Sequence, residues 1–319
     1  MRVGAHESIA GGLFHAYEDA AVDGCEALQV FTKSSNQWKE PKVDADGIRA
    51  FKEARAKSTF AQSPVLSHDS YLINLCSTDQ ALIERSRASL LAEAERCEAY
   101  GIEYVVLHPG AHVGAGVDVG VELAAQGLAY VLGKTRGANV SLLVENTAGQ
   151  GTTIASRFEE IGAILRGVAA LEPTEVHRLG VCLDTCHAIA AGYDLTDDAG
   201  YDATMAALDK AVGLKKIRGM HLNDSQKGVG SHLDRHARIG EGALGEHVFW
   251  RLMNDARFDA VSAVLETPHD GDDRKYKEQL VRLRAMKGAP PPAPRPAAFA
   301  LTATEPAPKK PARKAKAST

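Results

Sequence analysis

Short apolar runs recur along the chain, and six of them stop on a residue able to bind a metal or a proton. Val65-Leu66-Ser67 leads into His68, and Tyr104-Val105-Val106-Leu107 into His108. Val140 to Val144 leads into Glu145, and Gly180-Val181-Cys182-Leu183 into Asp184. Ile217 to Met220 leads into His221, and Val261 to Leu265 into Glu266. Runs of this length, rich in Val, Ile and Leu, read as strands buried on both faces. Arg2–His6 and Ala27–Thr32 read as two more, which makes eight. Between them the spacing turns helical. The clearest case is Thr78 to Tyr100, with Leu82, Ile83, Leu90, Leu91, Ala94 and Cys97 on one stripe and Gly101 as the stop signal. Further helices are predicted near 44–57, 118–136, 153–170, 202–213, 245–258 and 273–286, with a weaker one at 11–23.

Strands separated by helices imply parallel βαβ units. Eight of them in about 285 residues match a closed (β/α)8 barrel. A doubly wound sheet would want a glycine-rich phosphate loop after the first strand, and His6-Glu7-Ser8-Ile9-Ala10-Gly11-Gly12 lacks that spacing. There is no internal repeat beyond the βα alternation. In such a barrel the strand ends share one face, so the six terminal residues meet at its mouth.

Two more motifs point there. In Asp184-Thr185-Cys186-His187 the imidazole falls about one turn after the carboxylate, so both can face one space. The simpler alternative is a helix-capping Asp184 beside an incidental histidine. Asp234 and His236 sit two apart in a polar loop before the last strand, and extended backbone would turn both to the same side. There the alternative is a solvated charged loop. Together the candidates are His68, His108, Glu145, Asp184, His187, His221, Asp234, His236 and Glu266. Such a set exceeds what one four-coordinate ion can use and suffices for two or three. Mixed nitrogen and oxygen donors suit zinc or manganese better than magnesium. Thiolate ligation by Cys182 or Cys186 is set aside, because no second cysteine pair completes it. His6 and His112 are expected near the mouth as partners orienting ligands. His15, His177, His232, His247 and His269 read as surface or capping residues.

Charge changes the picture at one end only. The net charge is −4 over 319 residues, yet residues 289–319 hold six basic side chains against Glu305, which leaves the body at −9. Bulk charge therefore neither supports nor excludes a nucleic-acid partner. From Gly288 the composition turns to Pro, Ala and Lys, so a barrel over 1–287 and a disordered basic tail over 288–319 are expected. The tail is either a plain solvated extension or a weak tether to an anionic polymer. No apolar run reaches the ~18 residues of a membrane span, the N-terminus lacks a signal-like apolar stretch, and five cysteines suggest no disulfide framework. A cytoplasmic protein is expected.

These residues also resemble a known family. His68-Asp69-Ser70-Tyr71-Leu72-Ile73-Asn74-Leu75, His108-Pro109-Gly110, Glu145-Asn146-Thr147-Ala148-Gly149-Gln150-Gly151, Leu183-Asp184-Thr185-Cys186-His187 and His221-Leu222-Asn223-Asp224 are similar, in order, to the signatures of endonuclease IV. Gly4-Ala5-His6, Asp234-Arg235-His236 and Gly240-Glu241-Gly242 continue the likeness, which covers about residues 1–286. It implies a metal-dependent apurinic/apyrimidinic endonuclease of base excision repair, acting as a monomer on double-stranded DNA with abasic sites. It implies about three zinc ions per chain, with manganese possible at one. His68, His108 and Glu145 would hold the first; Glu145, Asp184, His221 and Glu266 the second; His187, Asp234 and His236 the third. Glu145, as the bridge, would be catalytic. Tyr71 and Leu72 match a pair at the DNA interface. Asn36 falls at a loop tip that in the family is often an arginine pushed into the base stack, so this chain departs from the pattern there. The rival enzymatic readings are a metal-dependent sugar isomerase or epimerase on a related barrel and a UV-damage endonuclease. A non-catalytic DNA-damage-binding module is the alternative outside enzymes.

Overall fold

The computed structural model describes residues 1–268 and 276–295. His269, the expected start of the last helix at 273–275 and the tail beyond Arg295 lie outside the described residues. In chain order the elements are β1 (Arg2–His6), α1 (His15–Asp23), β2 (Ala27–Val30), α2 (Ala45–Lys57), β3 (Val65–His68), α3 (Gln80–Tyr100), β4 (Tyr104–Leu107), α4 (Val117–Lys134), β5 (Ser141–Glu145) and α5 (Phe158–Leu171). They continue as β6 (Leu179–Asp184), α6 (Thr185–Ala191), α7 (Asp198–Val212), β7 (Ile217–His221), β8 (Asp224–Ser225), β9 (His236–Ala237), α8 (Gly245–Asn254), β10 (Ser262–Leu265) and α9 (Lys277–Met286). All eight expected strands form and close into a barrel in the order β1-β10-β7-β6-β5-β4-β3-β2, each pair parallel.

The pleat sorts the strand residues into two cores. Leu66, Val106, Leu143 and Cys182 form one small cluster, the packed interior of the barrel. Their neighbours Val65, Val105, Leu107, Leu142, Val144, Val181 and Leu183 belong to the large outer core under the helices. Because strand side chains alternate, the residue two beyond each interior residue faces inward again, one layer nearer the mouth. Those residues are His68, His108, Glu145 and Asp184. Gly4 shows how tightly the wall is drawn: a Cβ there would lie 1.7 Å from the Ala27 carbonyl oxygen.

Helix boundaries follow local chemistry. In α3 the Asp79 carboxylate accepts from the Leu82 N–H, and Gly101, at φ 78°, ends the helix in a conformation glycine adopts freely. The helix expected from 153 begins only at Phe158. Residues before it are drawn across to the β4–α4 loop, where the Ile154 N–H donates to Gly110 O at 2.9 Å. α7 starts earlier than expected because Asp197 caps the Gly200 N–H. α8 stops at Asn254, and residues 256–258 form a separate 3-10 turn capped by Asp255.

Two elements are absent from the strands and helices expected from periodicity: the short helix α6, which springs directly from β6 and which the sequence announced only as a possible cap at Asp184, and the antiparallel hairpin β8–β9. Past the boundary expected at 287 the chain still touches the barrel. The Gly288 N–H donates to Asn254 Oδ1, and residues up to Arg295 remain seated on the barrel wall. All five cysteines are buried and free. Among the described residues no helix is long and apolar enough to cross a membrane.

Candidate metal centre at the barrel mouth

All nine expected ligands converge at the C-terminal end of the barrel. His68, Glu145, Asp184 and His221 are the last residues of β3, β5, β6 and β7, while His108 and Glu266 directly follow β4 and β10. His187 comes from α6, and Asp234 and His236 from the β8–β9 hairpin. Their donor atoms form three groups: His68, His108 and Glu145; Glu145, Asp184, His221 and Glu266; and His187, Asp234 and His236. Within each group these atoms lie within 4.8 Å of one another.

Glu145 joins the first two. His68 Nε2 and His108 Nε2 approach its Oε2 at 3.2 and 3.1 Å. Its Oε1 lies 2.9 Å from His221 Nδ1 and 3.2 Å from His187 Nδ1. His221 Nδ1 is also 3.2 Å from Glu266 Oε2 and 3.7 Å from Asp184 Oδ2. Asp184 reaches toward the third group, since its Oδ2 is 3.8 Å from His236 Nε2. Asp234 closes that group, 3.3 Å from His187 Nε2 and 3.1 Å from His236 Nε2. Capping and site geometry are both true of Asp184. Its Oδ1 accepts the His187 N–H at 2.8 Å and caps α6, while Oδ2 faces the site.

The imidazoles are fixed in orientation by hydrogen bonds to carbonyls. A ring nitrogen that faces a carbonyl must carry the proton, which leaves the other nitrogen's lone pair for a metal. His68 donates from Nδ1 to Asp69 O at 2.9 Å, His187 from Nδ1 to Asn146 O at 2.9 Å, and His236 from Nδ1 to Glu266 O at 3.1 Å. His221 is reversed: Nε2 donates to Gln29 Oε1 at 2.9 Å, so Nδ1 is the free donor. His108 Nε2 and His236 Nε2 are buried and have the Glu145 and Asp234 carboxylates 3.1 Å away, without hydrogen-bond geometry. The donor set therefore fits divalent cations.

Electrostatics agree. Burial opposes ionisation of Glu145, but His221, His108 and His187 hold its carboxyl well below the usual range. Burial likewise opposes protonation of His187 and His221. Asp184, Asp234 and Glu145 hold His187 well above the ordinary imidazole value, and Cys182, Glu145 and Glu266 do the same for His221. His236, against its burial, is raised to about 9 by Asp234 and Asp184. Protons occupy these rings where cations would otherwise balance the carboxylates.

Residues 17–286 match the family described as xylose isomerase-like TIM barrel. A probable endonuclease 4 from Chloroflexus aurantiacus is 40% identical over 285 residues, covering 89% of this chain and 98% of the relative. The chain belongs to the endonuclease IV family. The crystal structure of endonuclease IV from Thermus thermophilus superposes with TM-score 0.77 at 37% identity, over 90% of this chain and 98% of that one. A D-tagatose 3-epimerase-like protein reaches TM-score 0.68 at 17% identity, over 90% of this chain and 98% of its own, a likeness of fold alone.

Within this endonuclease IV barrel Gln29, which bonds two of the expected ligands, carries no sequence signal, whereas Asn223 and Asp224 lie inside the His221-Leu222-Asn223-Asp224 signature without being among the expected site residues. Gln29, inward on β2, donates to Glu266 Oε1 at 2.7 Å besides accepting from His221. Asn223 Nδ2 donates to Asp184 Oδ2 at 2.7 Å, and Asn223 Oδ1 accepts the Glu266 N–H at 2.8 Å. Asp224 lies beside the site without joining it. Its carboxylate accepts N–H groups from Gly240, Gly242, Leu244 and Gly245 and fixes that loop, and burial raises it to about 6. Cys186, set aside on sequence grounds, has its thiol within reach of Asp184 and His236. Burial and the Asp184 carboxylate push that thiol up to about 12, which makes it a costly donor to ionise.

The histidine expectations divide. His6 does orient a ligand, with Nδ1 3.2 Å from Glu266 Oε1. His112 instead accepts the Gly116 N–H within its own loop, so it shapes that loop and bonds no ligand. His247 is no surface residue; it is buried between Asp198 Oδ1 and Pro292 O.

The rim of the mouth is built from loops. Tyr71 and Leu72 line a cleft of about 430 Å³ together with His68, His108, His187 and Asp234. Tyr71 is 60% exposed and meets Phe31 edge-on at 5.7 Å. Asn36 is exposed on the β2–α2 loop, whose neighbour Ser35 offers its carbonyl to Ser70 Oγ at 2.7 Å and to the Tyr71 N–H at 3.2 Å. Helix α3 grips the base of that loop. Thr32 donates to Glu93 at 2.6 Å, Lys33 to Glu40 at 2.6 Å and to Ser89 at 2.8 Å, and Arg96 to Glu40 at 2.9 Å.

Proposed function

We propose that this chain is a metal-dependent endonuclease that hydrolyses the phosphodiester 5′ to an abasic site in duplex DNA, leaving 3′-OH and 5′-deoxyribose phosphate ends. The observation that carries the reading is the third ligand group, His187 with Asp234 and His236. An isomerase or epimerase needs one or two ions and has no use for that set. Family membership supports the same choice. Divalent ions, about three zinc with manganese possible at one, would supply Lewis acidity and an activated water at neutral pH.

The chain's own residues do the rest. His68, His108 and Glu145 hold the first ion, Glu145, Asp184, His221 and Glu266 the second, and His187, Asp234 and His236 the third. Glu145 keeps its negative charge at the centre and ties two groups together, which fixes their separation. Gln29, Asn223, Asn146 and Asp69 O keep the ligands in one orientation, so little reorganisation is needed as charge builds on phosphorus. The cleft under Tyr71 takes an extruded sugar that lacks its base, which costs less to unstack than an intact nucleotide. Tyr71 and Leu72 touch the DNA beside it, and Asn36 approaches the base stack from the neighbouring loop. The enzyme works as a monomer in the cytoplasm.

The test is incision of three matched duplexes, abasic, undamaged and carrying a photolesion, with and without chelator. Cutting of the abasic strand alone, 5′ to the lesion and abolished by chelation, is expected. Preference for the photolesion, or binding without cutting at saturating metal, would overturn the reading.

A further inference from the structure

The loop between β2 and α2 carries Asn36 at the rim, and its two ends are tied to each other. Lys33 Nζ donates to Glu40 Oε1 at 2.6 Å, so an ion pair closes the base of residues 34–39. That pair rests on one face of α3. Ser89 Oγ donates to Glu40 Oε1 at 2.7 Å and accepts from Lys33 Nζ at 2.8 Å, and Arg96 Nη1 donates to Glu40 Oε2 at 2.9 Å. Arg96 also donates from Nε to Thr32 Oγ1 at 2.7 Å and from Nη2 to the Glu93 carboxylate. Glu93 Oε1 accepts from Thr32 and from Ser67, each at 2.6 Å, and Ser67 precedes the expected ligand His68. Nearer the start of α3, the Arg85 guanidinium lies over the Trp38 ring, 4.5 Å from its centroid. Positions 85, 89, 93 and 96 recur at helical spacing, so a single stripe of α3 meets this loop.

The Lys33, Glu93 and Arg96 side chains are buried, and Lys33 with Arg96 balances Glu40 with Glu93. A buried ion pair is a poor source of stability, because desolvation offsets the attraction. What a fully satisfied network can add is one geometry, since each charge must keep its partners. The tip of the loop needs that geometry. It meets the next loop through Ser35 O, which accepts from Ser70 Oγ at 2.7 Å and from the Tyr71 N–H at 3.2 Å. Where Ser35 sits therefore decides where Tyr71 sits. We propose that the Lys33–Glu40 pair, seated on Ser89 and Arg96, is a latch that fixes the Asn36 loop and, through Ser35, Tyr71, and so presets the rim for duplex DNA. The inference rests on the endonuclease reading of the mouth. Lys33, Glu40, Ser89 and Arg96 are positioning residues, and none belongs to the ligand groups. Because the loop is ordered before DNA arrives, the cost of ordering it does not fall on the binding step.

Two variants of the full chain test it. Glu40→Ala removes the acceptor shared by Lys33, Ser89 and Arg96, and Lys33→Met with Glu40→Leu fills the same space with apolar atoms. Both are made in a Trp250→Phe parent, which leaves Trp38 as the remaining one of the chain's two tryptophans. Acrylamide quenching of Trp38 reads the loop without DNA. Binding to abasic duplex at two salt concentrations reads recognition, and incision at saturating duplex reads chemistry. In both variants Trp38 should be quenched more readily, with metal content and saturated incision rate as in the parent. Abasic duplex should bind about 5- to 10-fold more weakly, the scale of ordering a short loop on binding. The salt slope should hold, because Lys33 is buried and paired. A slope flattened by about 1 would mean a lost phosphate contact and overturn the latch. With Asn36→Ala and Tyr71→Ala also present the loss should vanish, since nothing then remains for the latch to aim; a loss that persists in full would overturn it. So would parent-like quenching or parent-like affinity in the apolar pair, which decides the matter where Glu40→Ala destabilises the barrel. If the parent fails to incise abasic duplex while Trp38 still loosens in the variants, the endonuclease reading fails and the latch on the loop stands.

Discussion

The floor and the rim of the mouth are built on opposite terms. On the floor, Glu145, Asp184 and His221 are fully buried on strand ends, and every imidazole nitrogen turned away from the ligand groups on His68, His187, His221 and His236 has a fixed acceptor. On the rim, Tyr71 is 60% exposed and Asn36 is exposed on a loop held through its base and the carbonyl of Ser35. A pleated strand in a closed barrel leaves its last side chain one direction to point, whereas a loop takes its position from what it touches. Chemistry on the floor should therefore be intolerant of small changes. Recognition on the rim should be graded.

The largest effect should come from Glu145, whose two oxygens face different groups. Glu145→Gln should fold and lose at least about 100-fold in incision at saturating zinc, on the scale of one lost electrostatic stabiliser. Near-full activity would erase the distinction between floor and rim. Gln29→Leu should come next. It removes the acceptor that sets the His221 tautomer, and a loss of about 10- to 100-fold in metal affinity or activity is expected by zinc titration. If Gln29→Leu binds zinc as tightly as wild type, the fixed tautomers do not matter.

Acidity should act most strongly on the floor. His236 is raised to about 9 and His187 and His221 are held well above the ordinary value, so in the metal-free protein these rings are protonated at neutral pH. A metal must displace those protons, so zinc affinity should climb as pH rises toward 9, by about tenfold per unit for each proton released. In the metal-free fold the sign is opposite. The stability owed to protonated His236 is complete below about 6.5 and is lost as pH rises through about 9. Calorimetric zinc titrations in buffers of different ionisation enthalpy would count the protons, and a pH-independent affinity would contradict the assignment.

The rim should give the smallest changes. Tyr71→Ala should weaken binding to abasic duplex by about 1–3 kcal/mol, the range for a lost stacking platform, with the single-turnover rate of bound substrate little altered. Asn36→Arg should tighten binding modestly and steepen the salt slope by about 1. A collapse of the chemical step in either variant would mean that floor and rim are not separable.

The same contrast explains what can be read from the chain. Apolar runs ending in His, Asp or Glu are enough to expect eight strands and the six ligands at their ends, because alternation and strand polarity leave few choices. The motif resemblance groups those ligands and adds the rim residues. Helix α6 is legible only at its start, through the possible cap at Asp184, because Thr185-Cys186-His187-Ala188-Ile189 is too short to show a helical stripe. Hairpin β8–β9 has two residues per strand, too short for any period to register. Gln29 is an ordinary strand amide until β7 brings His221, far along the chain, to its side. The segment 288–295 reads as the beginning of disorder because its prolines forbid helix. Its order comes from Trp250, His247 and Asn254 on α8, which proline content cannot announce.

Three proposed ion sites, drawn from nine side chains around Glu145, are the central claim. Elemental analysis of stringently washed, fully active protein, paired with its specific activity on an abasic duplex, tests them most directly. About three divalent ions per chain are predicted, falling to about two in Asp234→Asn as the third group opens and incision drops. One ion per chain at full specific activity, or three ions retained in Asp234→Asn with activity intact, would contradict it.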